Sequence, residues 1–244
     1  MELTIVGHWG GYPKQNEAST GYLLTHEGYH LLIDCGSAVL SQLQNYIQPE
    51  MVDAVIISHY HPDHIADIGV LQHALLINKF LGKNNRNLSI YGHTEDDQAF
   101  RGLSFRDVTK GEAYDPSQSI KIGPFTIKFL KTIHPVPCYA MCIEAGGKKL
   151  VYTADSSFQE SFIPFSEKAD VLLCECNFYG EMDGSSAGHM NSRDAGNIAE
   201  KADVSKLILT HLPQFGDLTQ LVDEASEIFS GEVMLAAAGL KITI

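Results

Sequence analysis

Short runs of β-branched, aromatic and other apolar residues recur along most of this 244-residue chain, separated by Gly, Pro or Asn. Runs of this length and composition are typical of β-strands. They predict strands over residues 3–7, 21–25, 30–34, 54–57, 88–91, 125–130, 139–144, 149–153, 171–175, 206–210 and 232–235.

Apolar residues at a spacing of about 3.6 predict helices in other segments. The first predicted helix ends near Gly82, and the second begins at Asn191 or Ser192 as its N-cap. Before the third, Asp217 and Gln220 have the spacing of a capping box. The residues that share a helix face are Ile65, Ile68, Gln72, Leu75, Leu76 and Lys79; Ala195, Ile198, Ala199 and Ala202; and Leu218, Leu221, Val222, Ala225, Ile228 and Phe229.

The order of these elements predicts an α/β protein. Many strands with interspersed helices favour two mixed sheets that pack face to face, with the helices outside. No Pro-rich or Ser-rich linker divides the sequence, so we expect a single domain over residues 1–244. Segments 92–119 and 176–192 are rich in Gly, Asp and Ser and are predicted to be irregular loops near a functional site.

The composition narrows the classes of function and the cellular compartment. The net charge of −13 argues against non-specific nucleic-acid binding, which needs a basic face, although bound cations can reverse the field at one site. Five cysteines without CxxC spacing favour free thiols in a reducing, cytoplasmic compartment. We expect no signal peptide and no membrane span, because neither a basic start nor a run of about 18 apolar residues is present.

Four metal-binding side chains follow the predicted strand 54–57 within one short segment: His59, His61, Asp63 and His64. If they were buried, three imidazoles and a carboxylate crowded together would be costly unless a cation held them. If they were exposed, nothing would explain why they follow a strand so closely. The segment therefore predicts a metal site.

Single residues of the same kind follow three later strands, namely His134, Asp155 and His211. Each alone is ordinarily a turn residue, but their coincidence with the first segment favours a shared metal site. A carboxylate that bridges two cations suits a pair of ions about 3.5–4 Å apart. Imidazole-rich sites favour Zn²⁺, with Mn²⁺ or Fe²⁺ as alternatives. We expect one site from His59, His61 and His134, a second from Asp63, His64 and His211, and Asp155 as the bridge.

The pattern His59-x-His61-x-Asp63-His64, followed by His134, Asp155 and His211, resembles the metallo-β-lactamase superfamily of two-metal hydrolases. The resemblance implies an αβ/βα four-layer sandwich with the site at one edge of the two sheets. It also implies metal-assisted hydrolysis. It does not name the substrate, since this fold carries many activities.

Within that superfamily, the chain resembles the ribonuclease Z (ElaC-like) branch. The resemblance implies that His189 protonates the leaving group and that Glu175 supports it. Asp63, besides its ligand role, is expected to orient or deprotonate the attacking water. The alternatives remain open that His189 only caps a turn and that Glu175 is a buried, paired acid. The similar segments are Leu32-Ile33-Asp34-Cys35-Gly36, Leu172-Leu173-Cys174-Glu175-Cys176-Asn177-Phe178 and Gly188-His189-Met190-Asn191-Ser192.

These residues are compatible with three alternative functions. The first is a dinuclear-metal hydrolase of phosphodiesters, with a small phosphodiester or an RNA 3′ end as substrate. The sequence has only short loops where the branch carries a long tRNA-binding arm, which favours the smaller substrate. The alternatives are a hydrolase of a small ester, lactone, thioester or amide, and a metal-loaded binding protein without activity. Phe158, Phe162 and Phe165 are expected to be exposed and to form either a homodimer contact or a lid.

Overall fold

The protein, described by a computed structural model over residues 1–83 and 86–244, contains two seven-stranded sheets. The first has the order β14-β1-β2-β3-β4-β5-β6, with strands Lys241–Thr243, Glu2–Gly7, Gly21–His26, Tyr29–Ile33, Ala54–Ile56, Leu88–Gly92 and Thr109–Ala113. The second has the order β13-β12-β11-β10-β9-β8-β7, with strands Glu232–Leu235, Lys206–Thr210, Val171–Glu175, Lys148–Tyr152, Tyr139–Ala145, Phe125–Lys131 and Ile120–Ile122.

Both sheets change from antiparallel to parallel pairing at their fourth strand. In the first sheet, β14, β1, β2 and β3 pair antiparallel, and β3, β4, β5 and β6 pair parallel. In the second sheet, β7 to β10 pair antiparallel and β10 to β13 pair parallel. Because parallel strands end at the same edge of a sheet, residues that follow them are brought together there.

Seven α-helices lie among the described residues and cover the outer faces of the sheets. They are α1 (Val39–Leu43), α2 (Pro62–Ile65), α3 (Ile68–Phe80), α4 (Asp97–Gly102), α5 (Phe162–Ser166), α6 (Ser192–Lys201) and α7 (Thr219–Ser226). Three apolar clusters separate the layers. One lies between the sheets and includes Tyr22 and Phe125; the others lie under the helices and include Leu71 and Ile198. This four-layer arrangement confirms the predicted fold class.

Several predicted boundaries were wrong. The first helix begins at Ile68, because Pro62–Ile65 forms a separate turn of helix. The predicted capping box of α7 does not form: Asp217 accepts from the backbone N–H of Thr219 at 3.0 Å, and the Gln220 amide donates to Glu224. The segment 92–119 is not irregular, since it contains α4 and β6. Asn191 does cap α6, through a capping box with Asp194.

The predicted exposed aromatics do not support a dimer contact or a lid. Phe162 is fully buried, and Phe158 and Phe165 are half-buried against the cluster beneath α6. All five cysteines are buried and free. Within the described residues, none of the helices has the length and apolar character needed to cross a membrane.

Candidate metal centre

The predicted donors lie where strands end, at one edge of the two sheets. The segment that begins at His59 follows β4, Asp155 follows β10, and His211 follows β12 directly. Ala154 and His211 both have a φ of 52°. Non-glycine residues rarely adopt this left-handed conformation, and where they do it often serves a functional site. One of these residues is the donor His211, and the other directly precedes the donor Asp155.

The donor atoms of the first group lie close to one another. His59 Nε2 lies 3.1 Å from His61 Nδ1, and His134 Nε2 lies 3.0 Å from the same nitrogen. Asp155 Oδ2 lies 3.6 Å from His59 Nε2 and 3.9 Å from His134 Nε2. These spacings and donor types match the ligands of a single cation, because the atoms that bind one ion must lie close together.

The second group uses the same oxygen of Asp155. His64 Nε2 and His211 Nε2 each lie 3.3 Å from Asp155 Oδ2. Asp63 Oδ2 lies 3.1 Å from His211 Nε2 and 3.6 Å from His64 Nε2. The two groups therefore share one carboxylate oxygen, Asp155 Oδ2.

Hydrogen bonding inside the protein does not account for all of these atoms. His64 Nε2 and Asp155 Oδ1 are buried and make no hydrogen bond within the described residues. A buried polar atom without a partner is costly, so such an atom indicates a missing ligand. Together with the all-imidazole and carboxylate donor set, this observation shows that the residues present fit divalent cations.

The charge states of the donors also suit the binding of divalent cations. Burial, followed by the charge of nearby His64, holds the pKa of His59 well below its usual range; burial also lowers the pKa of His61 and His134. Metal ligands must be deprotonated, so neutral imidazoles are ready to bind. His64 behaves differently: despite its burial, the carboxylates of Asp155 and Asp34 raise its pKa well above the usual value. A cation at His64 Nε2 would take the place of that proton.

Asp34 supports the N-terminal donor segment through hydrogen bonds from His64 and Ser58. It accepts hydrogen bonds from His64 Nδ1 at 2.9 Å, from the Ser58 backbone N–H at 2.7 Å and from the Tyr152 hydroxyl at 3.0 Å. A carboxylate that holds the far nitrogen of an imidazole fixes its tautomer and orientation. Sequence reasoning had not assigned Asp34 this role, although it follows strand β3 just as the donors follow theirs.

His189 and Glu175 lie together beside the second donor group. His189 Nδ1 is 2.9 Å from Glu175 Oε1, and the His189 ring stacks on His211 with centroids 5.1 Å apart. Burial opposes protonation of His189, but the hydrogen bond and charge of Glu175 outweigh it and raise the pKa of His189 to about 9. The Glu175 carboxylate therefore favours the protonated imidazole, the form that can donate a proton.

A cavity of about 490 Å³ opens onto this centre. Its inner wall is formed by His61, Asp63, Asp155, His189 and His211, and its outer wall by the segments 10–12 and 214–215. The nine predicted site residues thus converge on one cavity and its immediate surroundings, with none of them placed elsewhere in the molecule.

Comparison with known families agrees with this geometry. The protein-family model described as "Beta-lactamase superfamily domain" matches residues 29–212. That match spans most of the chain and includes every predicted metal-binding residue. The chain belongs to the β-lactamase superfamily. This confirms the family predicted from the motif, while a single domain over residues 1–244 stays a prediction.

Similar proteins include other members of the superfamily. The "Probable metallo-hydrolase YhfI" of Bacillus subtilis is 56% identical over 98% of each chain, and its crystal structure superposes with a TM-score of 0.98 over 99% of this chain and 98% of that one. A ribonuclease Z of Methanopyrus kandleri is 26% identical over 100% of this chain and 98% of its own. The short form of human tRNase Z, at 21% identity, shows the same fold with a TM-score of 0.78 over 100% of this chain and 99% of that one.

These similarities support the predicted ribonuclease Z-like branch of the β-lactamase superfamily. They also confirm the prediction that the protein is an enzyme, a metal-dependent hydrolase. The donor geometry, and not the family, bears on the substrate and on the number of bound ions.

Proposed function

We propose that this superfamily member hydrolyses phosphodiester bonds with two divalent cations, Zn²⁺ being favoured by the imidazole-rich donors and Mn²⁺ or Fe²⁺ being the alternatives. The observation that carries the proposal is the pair of donor groups joined by Asp155 Oδ2, with a protonated histidine beside them. When bound, such ions activate water and neutralise charge on the phosphoryl oxygens.

The chain's own residues supply the remaining steps. Asp63 Oδ2 accepts a hydrogen bond from the Gly11 backbone N–H at 2.8 Å, which fixes the carboxylate at the edge of the cavity. From there it can orient the attacking water and accept its proton. His189 Nδ1 is engaged by Glu175, so the opposite edge of the ring, with Nε2, is left to donate a proton to the departing oxygen.

The His189–Glu175 pair suits the hydrolysis of a phosphodiester. An alkoxide that leaves a phosphate is a strong base and benefits from an acid. The names of the similar ribonuclease Z proteins point to the same bond. The alternative, a small ester, lactone, thioester or amide substrate, predicts activity that does not depend on His189.

The test is a screen of the metal-reconstituted protein on bis(p-nitrophenyl) phosphate, short RNA with a defined 3′ end, pre-tRNA and lactones. We expect turnover of the phosphodiesters that His211→Ala abolishes. Lactone turnover with little phosphodiesterase activity would favour the alternative. Phosphodiesterase activity that persists in His211→Ala would contradict the two-cation mechanism. His73→Ala, at an exposed histidine on α3, is the matched control.

A further inference from the structure

Two aromatic side chains stand at the mouth of the catalytic cavity. Tyr12 and Phe215 both line it, and 62% and 50% of their surfaces are exposed. Exposure on this scale leaves large apolar faces in contact with water at a site where a ligand enters. Two such faces beside one entrance are available for a ligand to pack on.

The loops that carry the two aromatics are fixed to each other. The Gln214 amide donates to the carbonyl oxygen of Gly10 at 3.0 Å and to that of Tyr12. Tyr179 donates its hydroxyl to the Phe215 carbonyl oxygen at 2.8 Å, and its ring lies 5.8 Å from the Phe215 ring. The backbone positions of both aromatics are therefore fixed before a ligand arrives, which lowers the entropic cost of binding.

The cavities around the centre differ in the carboxylates that line them. Two neighbouring cavities adjoin the centre, one through His61 and the other through His189. Each contains three carboxylates, of which Glu95, Asp97 and Glu181 are paired with a lysine or an arginine. The cavity lined by Tyr12 and Phe215 has no carboxylate except the two donors Asp63 and Asp155. The aromatic wall is therefore an approach to the centre that adds no carboxylate of its own.

We infer that Tyr12 and Phe215 bind a planar ring of the substrate, of the kind a nucleobase presents, while its phosphate lies at the donor groups. This inference rests on the proposed function for the position of the phosphate. Stacking on an aromatic side chain is sequence-tolerant and adds measurably to the affinity of a nucleotide. The cavity volume of about 490 Å³ lies in the range of small-ligand sites.

The test compares two ligands that differ only in the ring. Adenosine 5′-monophosphate and ribose 5-phosphate carry the same phosphate and sugar, and their binding to the Zn²⁺-loaded protein is measured by isothermal titration calorimetry. We expect the nucleotide to bind about tenfold more tightly. The double variant Tyr12→Ala/Phe215→Ala should lose this ratio while its affinity for ribose 5-phosphate stays unchanged.

Two control variants distinguish a loss of stacking from a general disturbance of the structure. Tyr12→Phe keeps the ring and should keep the ratio, and Phe80→Ala, which removes an exposed aromatic at the end of α3, should do the same. Equal affinity of the wild-type protein for both ligands would overturn the inference, as would an unchanged ratio in the double variant. A protein that discriminates the ligands yet hydrolyses no phosphodiester would instead contradict the proposed function and leave the ring site standing.

Discussion

The N-terminal sheet contributes four donors from one continuous segment, residues 59–64, whereas the C-terminal sheet contributes one donor at each of three strand ends. Yet each donor group draws on both sheets: His59 and His61 meet His134, while Asp63 and His64 meet His211. Neither sheet holds a complete site alone. The centre therefore depends on how the two sheets face each other, and its two halves can be tested separately.

The largest effect is expected at the residue that both donor groups share. Asp155→Ala removes the bridging oxygen, so we expect the bound metal to fall below one ion per chain by atomic absorption. Phosphodiesterase activity should drop by at least about 10³-fold, the order of one lost electrostatic contact to developing charge. Asp170→Asn, at a carboxylate paired with Lys148 near β11, is the control. Full metal content in Asp155→Ala would show that the two halves bind ions independently.

His189 should matter for the leaving group and not for the metal. We expect His189→Ala to slow hydrolysis of a dinucleotide, whose leaving group is an alkoxide, by about 10²–10⁴-fold, the usual contribution of a general acid. Hydrolysis of bis(p-nitrophenyl) phosphate should change little, because p-nitrophenolate leaves without protonation. Metal content should match the wild-type protein. An equal loss on both substrates would assign His189 a structural role.

Glu175→Gln should shift the pH profile. The Glu175 carboxylate raises the pKa of His189 to about 9, so its removal lowers that pKa. The acid must be protonated to act, and activity is lost as pH rises through its pKa. The alkaline limb of kcat/KM should therefore move to lower pH, with an activity loss of about tenfold at neutral pH. Glu144→Gln, in an exposed pair with Lys128, should leave the profile in place. An alkaline limb that stays at the wild-type pH would show that Glu175 does not set the pKa of His189.

The smallest effect is expected at Tyr152, which belongs to the C-terminal sheet but acts on the N-terminal donors. Tyr152→Phe removes one hydrogen bond to Asp34, the partner of His64. We expect about tenfold weaker binding of one ion in a competition titration with a chelator, and a loss of about 1 kcal/mol in the free energy of unfolding. Tyr46→Phe, at a half-buried tyrosine beyond the centre, should alter neither quantity. Unchanged affinity would limit the role of Tyr152 to packing.

The strands that sequence reasoning missed are edge strands. β14, β6 and β7 each lie at the end of a sheet, and two of them have only three residues. Edge strands are short or polar because long apolar edges promote aggregation, so their sequence signal is weak. Interior strands such as Val171–Glu175, buried along their whole length, carry a strong apolar signal and were predicted to the residue. The missed helices α1, α4 and α5 are likewise too short for a period to show.

The sequence alone determined the family of this protein and its class, a metal-dependent hydrolase. The donors were recognisable in the segment from His59 to His64 and at three later strand ends. Imidazole and carboxylate side chains that cluster directly after apolar strands are typical of a metal site. The tertiary structure decided what no spacing encodes: that Asp155 presents one oxygen to both groups, that Asp34 holds His64 from behind, and that Tyr12 and Phe215 share one cavity. These relations join residues far apart in the chain, so they exist only once the two sheets have packed.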